Sequence, residues 1–347
     1  MLRYLKQGLC PSIIAATVVL GAAGARADFA FGPEQVIQAS GADIDVGTYS
    51  VPCYGDWDGN GANDLVIGRG DGRVSVYPNS GTAQAPAFCT CGSFEVTVGG
   101  SFLDVGSSGC MGSFPRLVDW NNDTYNDLLV SDTWGKVHLY LNQGPPASPT
   151  FGAGTFVQVG QMGAKTDIDV GSRATASVVD WNNDGRKDLV LGELMGKVYV
   201  FLNEGTDASP DFHSMTTLQD AVTSTDLEVP GLRSSPTIAD LDGDGLKDLV
   251  VGNTNGEVLF YANVGTAFAP QFGAYAYVEA AGVKIDLPDS PRSRPFLCDW
   301  NDDGLLDLLV GAYDGNVHLF KGVPEPATLA LLALGAAAVL SRRRRRR

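Results

Sequence analysis

A nine-residue pattern of acidic and amide residues occurs five times in this chain of 347 residues. It reads Asp, any residue, Asp or Asn, any residue, Asp or Asn, usually Gly, two further residues and Asp. The intervals between successive copies are 63, 61, 60 and 59 residues. A regular period of this length indicates an array of like structural units, each packed against its neighbours. The five copies begin at Asp56, Asp119, Asp180, Asp240 and Asp299.

The spacing of oxygen-bearing side chains within this pattern suits a calcium ion. Side chains at alternate positions can point into one turn only where the backbone curls tightly, which the Gly at the sixth position permits. The first half matches the EF-hand calcium loop, but Asp at the ninth position replaces the more distant Glu. We therefore predict up to five calcium ions. The predicted ligands are Asp56, Asp58, Asn60 and Asp64; Asp119, Asn121, Asp123 and Asp127; Asp180, Asn182, Asp184 and Asp188; Asp240, Asp242, Asp244 and Asp248; and Asp299, Asn301, Asp303 and Asp307.

The five loops are expected to differ in affinity. The loop that begins at Asp240 has four carboxylates, so we expect it to bind calcium most tightly. In the second loop Thr124 replaces Gly and must hold a less favourable backbone angle, so that loop is expected to be the weakest. The alternative is that Asp, Asn and Gly form turns without a metal. Five clusters of carboxylates would, however, repel one another strongly without a cation.

Each copy of the pattern is followed by signals for antiparallel strands. A short apolar run stopped by Gly, such as Leu65 to Gly68, predicts a buried strand, and Gly72 to Tyr77 predicts its hairpin partner. A Pro-x-Phe phrase, as in Pro86 to Phe88, opens an outer strand, and Phe114 to Val118 exemplifies the strand before each loop. Four strands per repeat without helical periodicity are typical of propeller blades. We predict an all-β, five-bladed β-propeller.

The two ends of the repeat region predict how the propeller closes. Phe31-Gly32 matches Phe151-Gly152, whereas the last repeat ends at Gly322 without an outer strand. We therefore expect the N-terminal strand to complete the last blade, which removes two open sheet edges.

The stretch from Asp180 to Gly192, Asp-Trp-Asn-Asn-Asp-Gly-Arg-Lys-Asp-Leu-Val-Leu-Gly, resembles the FG-GAP or VCBS repeat. This calcium-binding blade is also found in the heads of integrin α chains. The resemblance covers about residues 29 to 322. It implies calcium in the loop between the first two strands of a blade, on the face opposite the usual ligand-binding face. The departures are Thr124 for Gly, Leu241 where the other repeats have Trp, and Ser131 where the others end in Gly.

Both ends of the chain indicate export. Residues 1–27 contain basic residues, an apolar stretch and Ala25-Arg26-Ala27, which predicts a secretory signal peptide. The propeller is assigned to residues 28–322. Residues 323–347 contain Pro324, Glu325 and Pro326, an apolar segment shorter than the ~20 residues of a stable spanning helix, and an arginine run.

This tail resembles the bacterial PEP-CTERM sorting signal. The resemblance implies transient anchoring in the inner membrane of a Gram-negative bacterium and cleavage by an exosortase-type enzyme. The protein would then be released to the cell surface or the extracellular polymer.

The net charge limits the classes of binding partner, and the number of cysteines limits the possible disulfides. Without the two ends, Lys plus Arg number 15 and Asp plus Glu 39, a net charge of about −24. Such a charge excludes nucleic acid as a partner and predicts that calcium is needed to bind an acidic polysaccharide. Five cysteines remain, so at least one is unpaired. We predict a disulfide from Cys110 to Cys89 or Cys91, and we interpret Cys298 as a small hydrophobe.

The repetition favours a binding module over an enzyme, because like blades seldom assemble one asymmetric active site. We predict a surface or matrix module that binds polysaccharide or protein. A calcium-dependent polysaccharide lyase or hydrolase is one alternative, since fold alone does not decide activity. A purely structural matrix protein is another. His138 and His318 occupy the same strand position and are expected to be scaffold, and no partner is evident for His213.

Two sets of residues recur near the turns of the repeat. An acidic residue before each first strand forms either an acidic ring at one mouth or a carboxylate that stabilises a turn. Exposed Trp134, Met195 and Tyr313 on the hairpin turns would suit stacking on sugars. The acidic residues are Asp45, Asp104, Asp169, Glu228 and Asp286.

Overall fold

The computed structural model describes residues 29–106, 112–287 and 291–324. These residues form strands, turns and loops, and none of them is in a helix, as the sequence predicts. No helix in these ranges could span a membrane. The predicted signal peptide, Cys110, Glu325 and Pro326 lie outside the described residues.

The repeats form five four-stranded antiparallel sheets; in the first four the strands pair in chain order, and in the fifth the N-terminal strand takes the outer position. The first strands are Val51–Gly55, Phe114–Val118, Thr175–Val179, Ser235–Ala239 and Arg294–Cys298. The second strands are Asp64–Gly68, Asp127–Ser131, Asp188–Gly192, Asp248–Gly252 and Asp307–Gly311. The third strands are Val74–Tyr77, Val137–Tyr140, Val198–Phe201, Val258–Tyr261 and Val317–Phe320. The outer strands are Phe94–Glu95, Thr155–Phe156, Thr216–Thr217, Ala276–Tyr277 and Gln35–Val36.

The five first strands form a closed ring. Each contacts the first strand of the next blade, and the fifth returns to contact the first. The sheets are therefore blades around one axis, and the predicted five-bladed propeller is confirmed. Short hairpins outside the blades pair Gln38–Ala39 with Ala42–Asp43, Thr97–Val98 with Ser101–Phe102, Gln158–Val159 with Thr166–Asp167, and Glu279–Ala280 with Val283–Lys284.

The N-terminal strand completes the fifth blade. Gln35–Val36 pairs antiparallel with Val317–Phe320, and Phe31 forms a bridge to Gly322. The predicted closure is thus confirmed, and it joins the two ends of the repeat region in one sheet.

Aromatic pairs hold neighbouring blades together. The Trp at the second position of a loop is buried and packs on the Phe of the next blade's Pro-x-Phe phrase or its equivalent. Burial of such rings is a large part of the hydrophobic stabilisation of a sheet protein. The ring-centroid distances are 5.4 Å for Trp57 and Phe151, 6.2 Å for Trp120 and Phe212, 5.9 Å for Trp181 and Phe272, and 5.7 Å for Trp300 and Phe88.

The fourth blade departs from this pattern. Leu241 replaces Trp, and with Phe31 it lines a cavity of about 390 Å³ at the junction of the fourth and fifth blades. Pro324 lines the same cavity, so the chain leaves the propeller here on its way to the sorting tail.

The Gly that ends a second strand is required by the next blade. A Cβ added at Gly68 would lie 2.1 Å from the carbonyl oxygen of Ser113 and 2.5 Å from Cδ of Pro115. Gly192, Gly252 and Gly311 face a carbonyl oxygen and a Pro of the next blade in the same way. The second blade ends its strand with Ser131 instead, and the first strand of the third blade has Ala176 at the position of the Pro.

Candidate calcium loops

Each candidate loop joins the first and second strands of its blade. All five loops therefore lie on one face of the propeller, and the hairpin turns between second and third strands lie on the opposite face. We call these the loop face and the turn face. This arrangement is the one that the resemblance to FG-GAP blades implies.

The loops share a curled backbone with two left-handed residues. The fourth position has φ between 54° and 75° in every loop, and the sixth has φ of 84° to 88° at Gly61, Gly185, Gly245 and Gly304. Thr124 holds the same conformation with φ of 75°. Left-handed backbone is unfavourable for a β-branched residue, so the strain predicted for the second loop is present.

Within each curl, side-chain oxygens accept hydrogen bonds from the loop's own backbone. In the first loop, Asn60 N–H donates to Oδ1 of Asp56 at 3.1 Å and Gly61 N–H donates to Oδ2 at 2.9 Å. Ala62 N–H donates to Oδ1 of Asn60 at 2.7 Å. These bonds hold the side-chain oxygens towards the loop's own backbone.

The Asp at the ninth position also has a structural role, because it accepts hydrogen bonds from two separate segments of its blade. Asp188 is fully buried, its Oδ2 accepts from Trp181 N–H at 2.8 Å, and its Oδ1 accepts from Asn203 N–H at 2.7 Å. The same pair of bonds recurs in the other four loops, with Gly322 as the second donor in the fifth blade. The carboxylate therefore ties the loop to the end of the third strand. Sequence reasoning missed this role, although an Asn follows the Asp by 15 residues in four repeats.

Burial raises the pKa of these ninth-position carboxyl groups. For Asp64, Asp188 and Asp248 the loss of water raises the pKa to about 6, and two backbone N–H donors offset part of the increase. The pKa values of Asp127 and Asp307 are raised for the same reason. A bound cation would remove this disadvantage of burying negative charge.

Two observations indicate that the loops fit a cation. One carboxylate oxygen from each of Asp56, Asp58 and Asp64 lies within 4.8 Å of the others, and Asp240, Asp242 and Asp244 form a second such triad. In addition, Oδ1 of Asp240 is buried without a hydrogen-bond donor, as is Oδ1 of Asn301. A buried acceptor without a donor is costly, and hard oxygen ligands in this number are those that calcium prefers.

In the third loop an arginine would compete with a cation for one of the predicted ligands. Arg186 lies at its seventh position and forms a salt bridge with Asp184, with 2.5 Å between Nη2 and Oδ2. This pair neutralises a predicted ligand, which lowers the affinity that we expect of the third loop. The sequence shows Arg186 plainly, but its direction towards the loop centre depends on the fold.

Neighbouring loops are linked around the loop face. Asn126 of the second loop donates to the carbonyl of Asp56 at 2.8 Å, and Lys187 of the third donates to Oδ1 of Asn122 at 2.6 Å. Lys247 of the fourth loop donates to the carbonyl of Asp180. In the fifth loop Leu306 takes this position and lines the cavity beside Leu241 instead. These bonds join the first four loops in series, so occupancy of one of these four loops is expected to stabilise its neighbour.

Replacement of Thr124 by Gly is expected to strengthen the second loop. Gly adopts φ of about 75° without strain, which removes a cost of about 1 kcal/mol. Thr124→Gly should therefore raise the calcium affinity of this loop several-fold, measured by calorimetric titration of the chelated protein. Gly185→Thr in the third loop is the matched reverse change and should lower affinity there. Equal calcium affinities of Thr124→Gly and the wild type would contradict the backbone strain at Thr124.

The stability of the calcium-free protein is expected to rise as the pH falls from 7.5 to 5. Folded pKa values near 6 for Asp64, Asp188 and Asp248 exceed the ordinary value, so the folded state binds more protons than the unfolded state between pH 4 and 6. The stability due to these groups is present at low pH and is lost as the pH rises through 6. Protons also compete with calcium, so the gain in melting temperature from calcium should shrink at pH 5. Thermal melts at both pH values, with calcium and with chelator, test this prediction. An equal increase in melting temperature from calcium at the two pH values would contradict it.

The recurring acidic residues mainly stabilise turns. Asp45, Asp104 and Asp169 each accept a hydrogen bond from the Gly N–H two residues on, at 2.7–2.8 Å. Asp286 pairs with Lys284 at 2.8 Å. Of the two interpretations left open by the sequence, the turn-stabilising one is the better supported.

The three histidines lie in hydrogen-bonded scaffold positions. His138 contacts Asp132 at 2.9 Å, and His318 contacts Glu34 and Asp314. The expectation that His213 has no partner was wrong, because its ring nitrogens lie 3.0 Å from Glu204 and 3.0 Å from Asp211.

A second cavity, of about 530 Å³, opens beside the third and fourth blades. Tyr261 and Tyr275 line it together with three acidic residues. Asp226 is paired with Lys197 at 2.6 Å, and Asp220 accepts hydrogen bonds from its own turn. Its described lining includes no Arg or His, so it lacks the combination of acid, base and arginine that would favour an enzyme.

The structure pairs Cys89 with Cys91, whose Cα atoms are 5.2 Å apart across a tight turn. This differs from the predicted bridge to Cys110, which lies outside the described residues. The pairing arises because the turn already brings the two thiols together. Cys53 is buried, and Cys298 is partly buried against the core, as expected of a small hydrophobe.

Comparison with known families agrees with this architecture. FG-GAP-like repeats match at residues 119–191 and 180–251, and a PEP-CTERM protein-sorting motif matches at residues 322–346. The chain therefore contains FG-GAP-like repeats in a β-propeller and ends in a PEP-CTERM motif.

The curated relatives are integrin α chains. The chain is 26% identical to integrin alpha-3 of Cricetulus griseus over 179 residues, which is 47% of this chain and 16% of the integrin. It is 30% identical to integrin alpha-7 of Mus musculus over 165 residues, 43% of this chain and 13% of that protein. The chain thus matches less than a fifth of each integrin.

Solved structures with some likeness include the Photorhabdus luminescens Tc holotoxin pore and BBS1N in complex with ARL6DN. The first has a TM-score of 0.39 and 16% identity, and covers 87% of this chain and 15% of that one. The second has a TM-score of 0.40 and 13% identity, and covers 88% of this chain and all of that one.

Proposed function

We propose that this chain is an exported, calcium-stabilised propeller that binds an extracellular polysaccharide or a surface protein. The observation that carries the calcium assignment is the buried Oδ1 of Asp240, an acceptor without a donor inside a triad of carboxylates. The same loop has the four carboxylates that led us to expect the tightest binding there.

The position of the tail supports a surface role. The PEP-CTERM motif implies processing by an exosortase and points to export in a Gram-negative bacterium. Val323 N–H donates to the carbonyl of Ala30 at 2.9 Å, and Pro324 lines a cavity with Asp240 and Gly243 of the fourth loop. The chain therefore reaches the sorting motif at the loop face, and the turn face lies on the opposite side of the propeller.

The turn face carries exposed apolar side chains suited to a partner. Trp134 is 49% exposed, Met195 58% and Tyr313 42%. Aromatic rings with polar neighbours stack on sugars and anchor protein interfaces alike. These residues belong to three different blades, which favours binding over a single catalytic centre.

The experiment that tests this proposal incubates the secreted form of the protein with a panel of extracellular polysaccharides, with calcium and with chelator. Both retention and newly formed chain ends are measured. Calcium-dependent retention of intact polymer supports the proposal. New chain ends would replace it with a lyase or hydrolase. A protein that retains no polymer and captures no surface protein would be a structural matrix component.

A further inference from the structure

The cavity of about 530 Å³ beside the third and fourth blades has walls from two separate segments. Residues 220–230, which connect the outer strand of the third blade to the first strand of the fourth, supply acidic and hydroxyl side chains. Tyr261, at the end of a third strand, and Tyr275, just before an outer strand, supply aromatic rings. We call this the tyrosine cavity. Its volume lies in the range of ~300–1,000 Å³ that is usual for small-molecule sites.

Tyr261 is only 2% exposed, and its hydroxyl group has no hydrogen-bond partner among the described residues. Buried tyrosine hydroxyls usually find a partner, as Tyr54 does in the carbonyl of Trp300 at 3.1 Å. Loss of water raises the pKa of the Tyr261 hydroxyl, and the nearby Tyr275 and Asp220 raise it further. The open hydroxyl therefore lies beside groups that line the cavity, where a ligand can bond to it.

The carboxylate of Asp220 is held in place with one oxygen open. Its Oδ1 accepts three hydrogen bonds from its own turn, two from the backbone and one from the hydroxyl of Thr223, and its Oδ2 accepts none from the described residues. The backbone of Asp220 forms a bridge to Phe272, three residues before Tyr275, so the two wall segments are joined beside the cavity. A fixed carboxylate with an open oxygen can accept a hydrogen bond from a cationic group with little loss of side-chain entropy.

The lining of the tyrosine cavity has an excess of negative charge. It contains Asp220, Asp226 and Glu228, and its described residues include no Lys, Arg or His. Asp226 is paired at 2.6 Å with Lys197, which lies outside the lining. The side chain of Glu228 forms no hydrogen bond or ion pair with the described residues. The cavity therefore favours a cationic ligand and disfavours a uronate or a phosphate.

The ring of Tyr275 offers a surface for such a ligand. It is 41% exposed, and its centroid lies 5.6 Å from the Tyr261 ring and 5.7 Å from the Tyr277 ring, which fix its orientation. The ammonium group of Lys284 already lies over the Tyr277 ring, 4.7 Å from its centroid. The faces of aromatic rings attract cations, and they also pack on the apolar faces of sugars. A fixed tyrosine ring beside open carboxylates thus fits a sugar that carries an ammonium group.

We propose that the tyrosine cavity binds a protonated amino sugar of an extracellular polysaccharide. Asp220 accepts a hydrogen bond from the ammonium group, Tyr275 packs on the sugar ring, and the Tyr261 hydroxyl donates a hydrogen bond to a sugar oxygen. Glu228 adds negative potential at the same cavity. The net charge of about −24 attracts a cationic polymer to the whole domain. This rests on the proposed binding function and names its ligand class and a site.

The third candidate loop supports one wall of this cavity. Ala221 N–H donates to the carbonyl of Phe272 at 2.7 Å, and the Phe272 ring packs on Trp181 of that loop. Trp181 N–H in turn donates to Asp188 at 2.8 Å. A calcium-free loop should therefore hold the wall less firmly, and amino-sugar binding should weaken in chelator, in keeping with the proposed function.

Isothermal titration with a glucosamine hexamer in calcium at pH 6 tests the site, because the sugars of this probe then carry ammonium groups. The control ligand is the N-acetylglucosamine hexamer, which has the same sugar backbone without the charges and should bind about tenfold more weakly. Asp220→Asn keeps an acceptor for its turn but loses the charge, and Tyr275→Ala removes the ring. Each should weaken glucosamine binding about tenfold, whereas Tyr275→Phe should stay within about twofold of the wild type. Tyr261→Phe should weaken it about threefold.

Two changes in the fourth repeat are the matched controls. Glu279→Gln removes one exposed carboxylate and Phe268→Ala removes one exposed ring, both outside the cavity lining. Each should leave glucosamine binding unchanged. All variants are compared at a temperature at which their melting curves show them folded, and the wild type is also titrated in chelator.

The outcomes separate this proposal from the more general one. Equal glucosamine binding by the wild type, Asp220→Asn and Tyr275→Ala would overturn the cavity site while leaving the general binding function intact. Equal affinity for the two sugar hexamers would overturn the charged ligand. A lysine hexamer that binds the wild type as tightly, and is weakened by the same variants, would replace the amino sugar with a basic peptide. If no polysaccharide of the panel is retained in calcium either, the proposed polysaccharide binding itself fails.

Discussion

Removal of calcium is expected to lower the melting temperature of the secreted protein by roughly 10–20 °C. Extracellular calcium modules bind with Kd values down to ~10⁻⁴ M. At ~2 mM calcium each such site adds about 1.8 kcal/mol through mass action, so five sites add up to about 9 kcal/mol. For a domain of this size each kcal/mol corresponds to about 2 °C. The measurement is a thermal melt in calcium and in excess chelator at pH 7.5.

Magnesium and monovalent salt at the same ionic strength are the controls for this melt. Ionic screening alone would reduce repulsion among the exposed carboxylates without requiring the loops. A melting temperature that is the same in calcium and chelator would remove the calcium assignment, and equal stabilisation by magnesium would remove its selectivity.

The blade pattern could be predicted from sequence because it depends on local signals repeated five times. The apolar runs, the hairpin signals and the loop spacing each recur, so a doubtful copy is supported by four others. The closure by Gln35–Val36 was also predictable, because Phe31 matched the blade motif and the last repeat lacked its outer strand. The repetition is therefore the reason that the fold could be predicted from the sequence.

The details that sequence reasoning missed depend on contacts between repeats. The direction of Arg186 towards Asp184, the partners of His213 and the pairing of Cys89 with Cys91 all follow from turns whose geometry is set by packing. The tyrosine cavity was also missed, because its walls come from two repeats that only the fold brings together.

Replacement of Asp248 by Ala is expected to destabilise the protein by about 3 kcal/mol even without calcium. Asp248 is fully buried, and its carboxylate accepts from Leu241 N–H and Asn263 N–H, both at 2.9 Å. Its removal leaves two buried donors unsatisfied, at about 1–3 kcal/mol each, while relief of the buried charge offsets part of the loss. The melting temperature in chelator should fall by about 6 °C.

Asp240→Asn is the matched control in the same loop, and the pair separates the two tasks of the loop carboxylates. Oδ1 of Asp240 accepts no hydrogen bond, so Asn at this position should leave the melt in chelator within about 1 °C of wild type. In calcium it should lose the contribution of the fourth loop, about 1.8 kcal/mol. Asp248→Ala should fall in both conditions, because the ninth-position carboxylate ties the blade together as well as facing the cation. If the two variants melted alike in chelator, the ninth position would be a calcium ligand alone, and the repeated hydrogen bonds at the strand ends would contribute little to the fold.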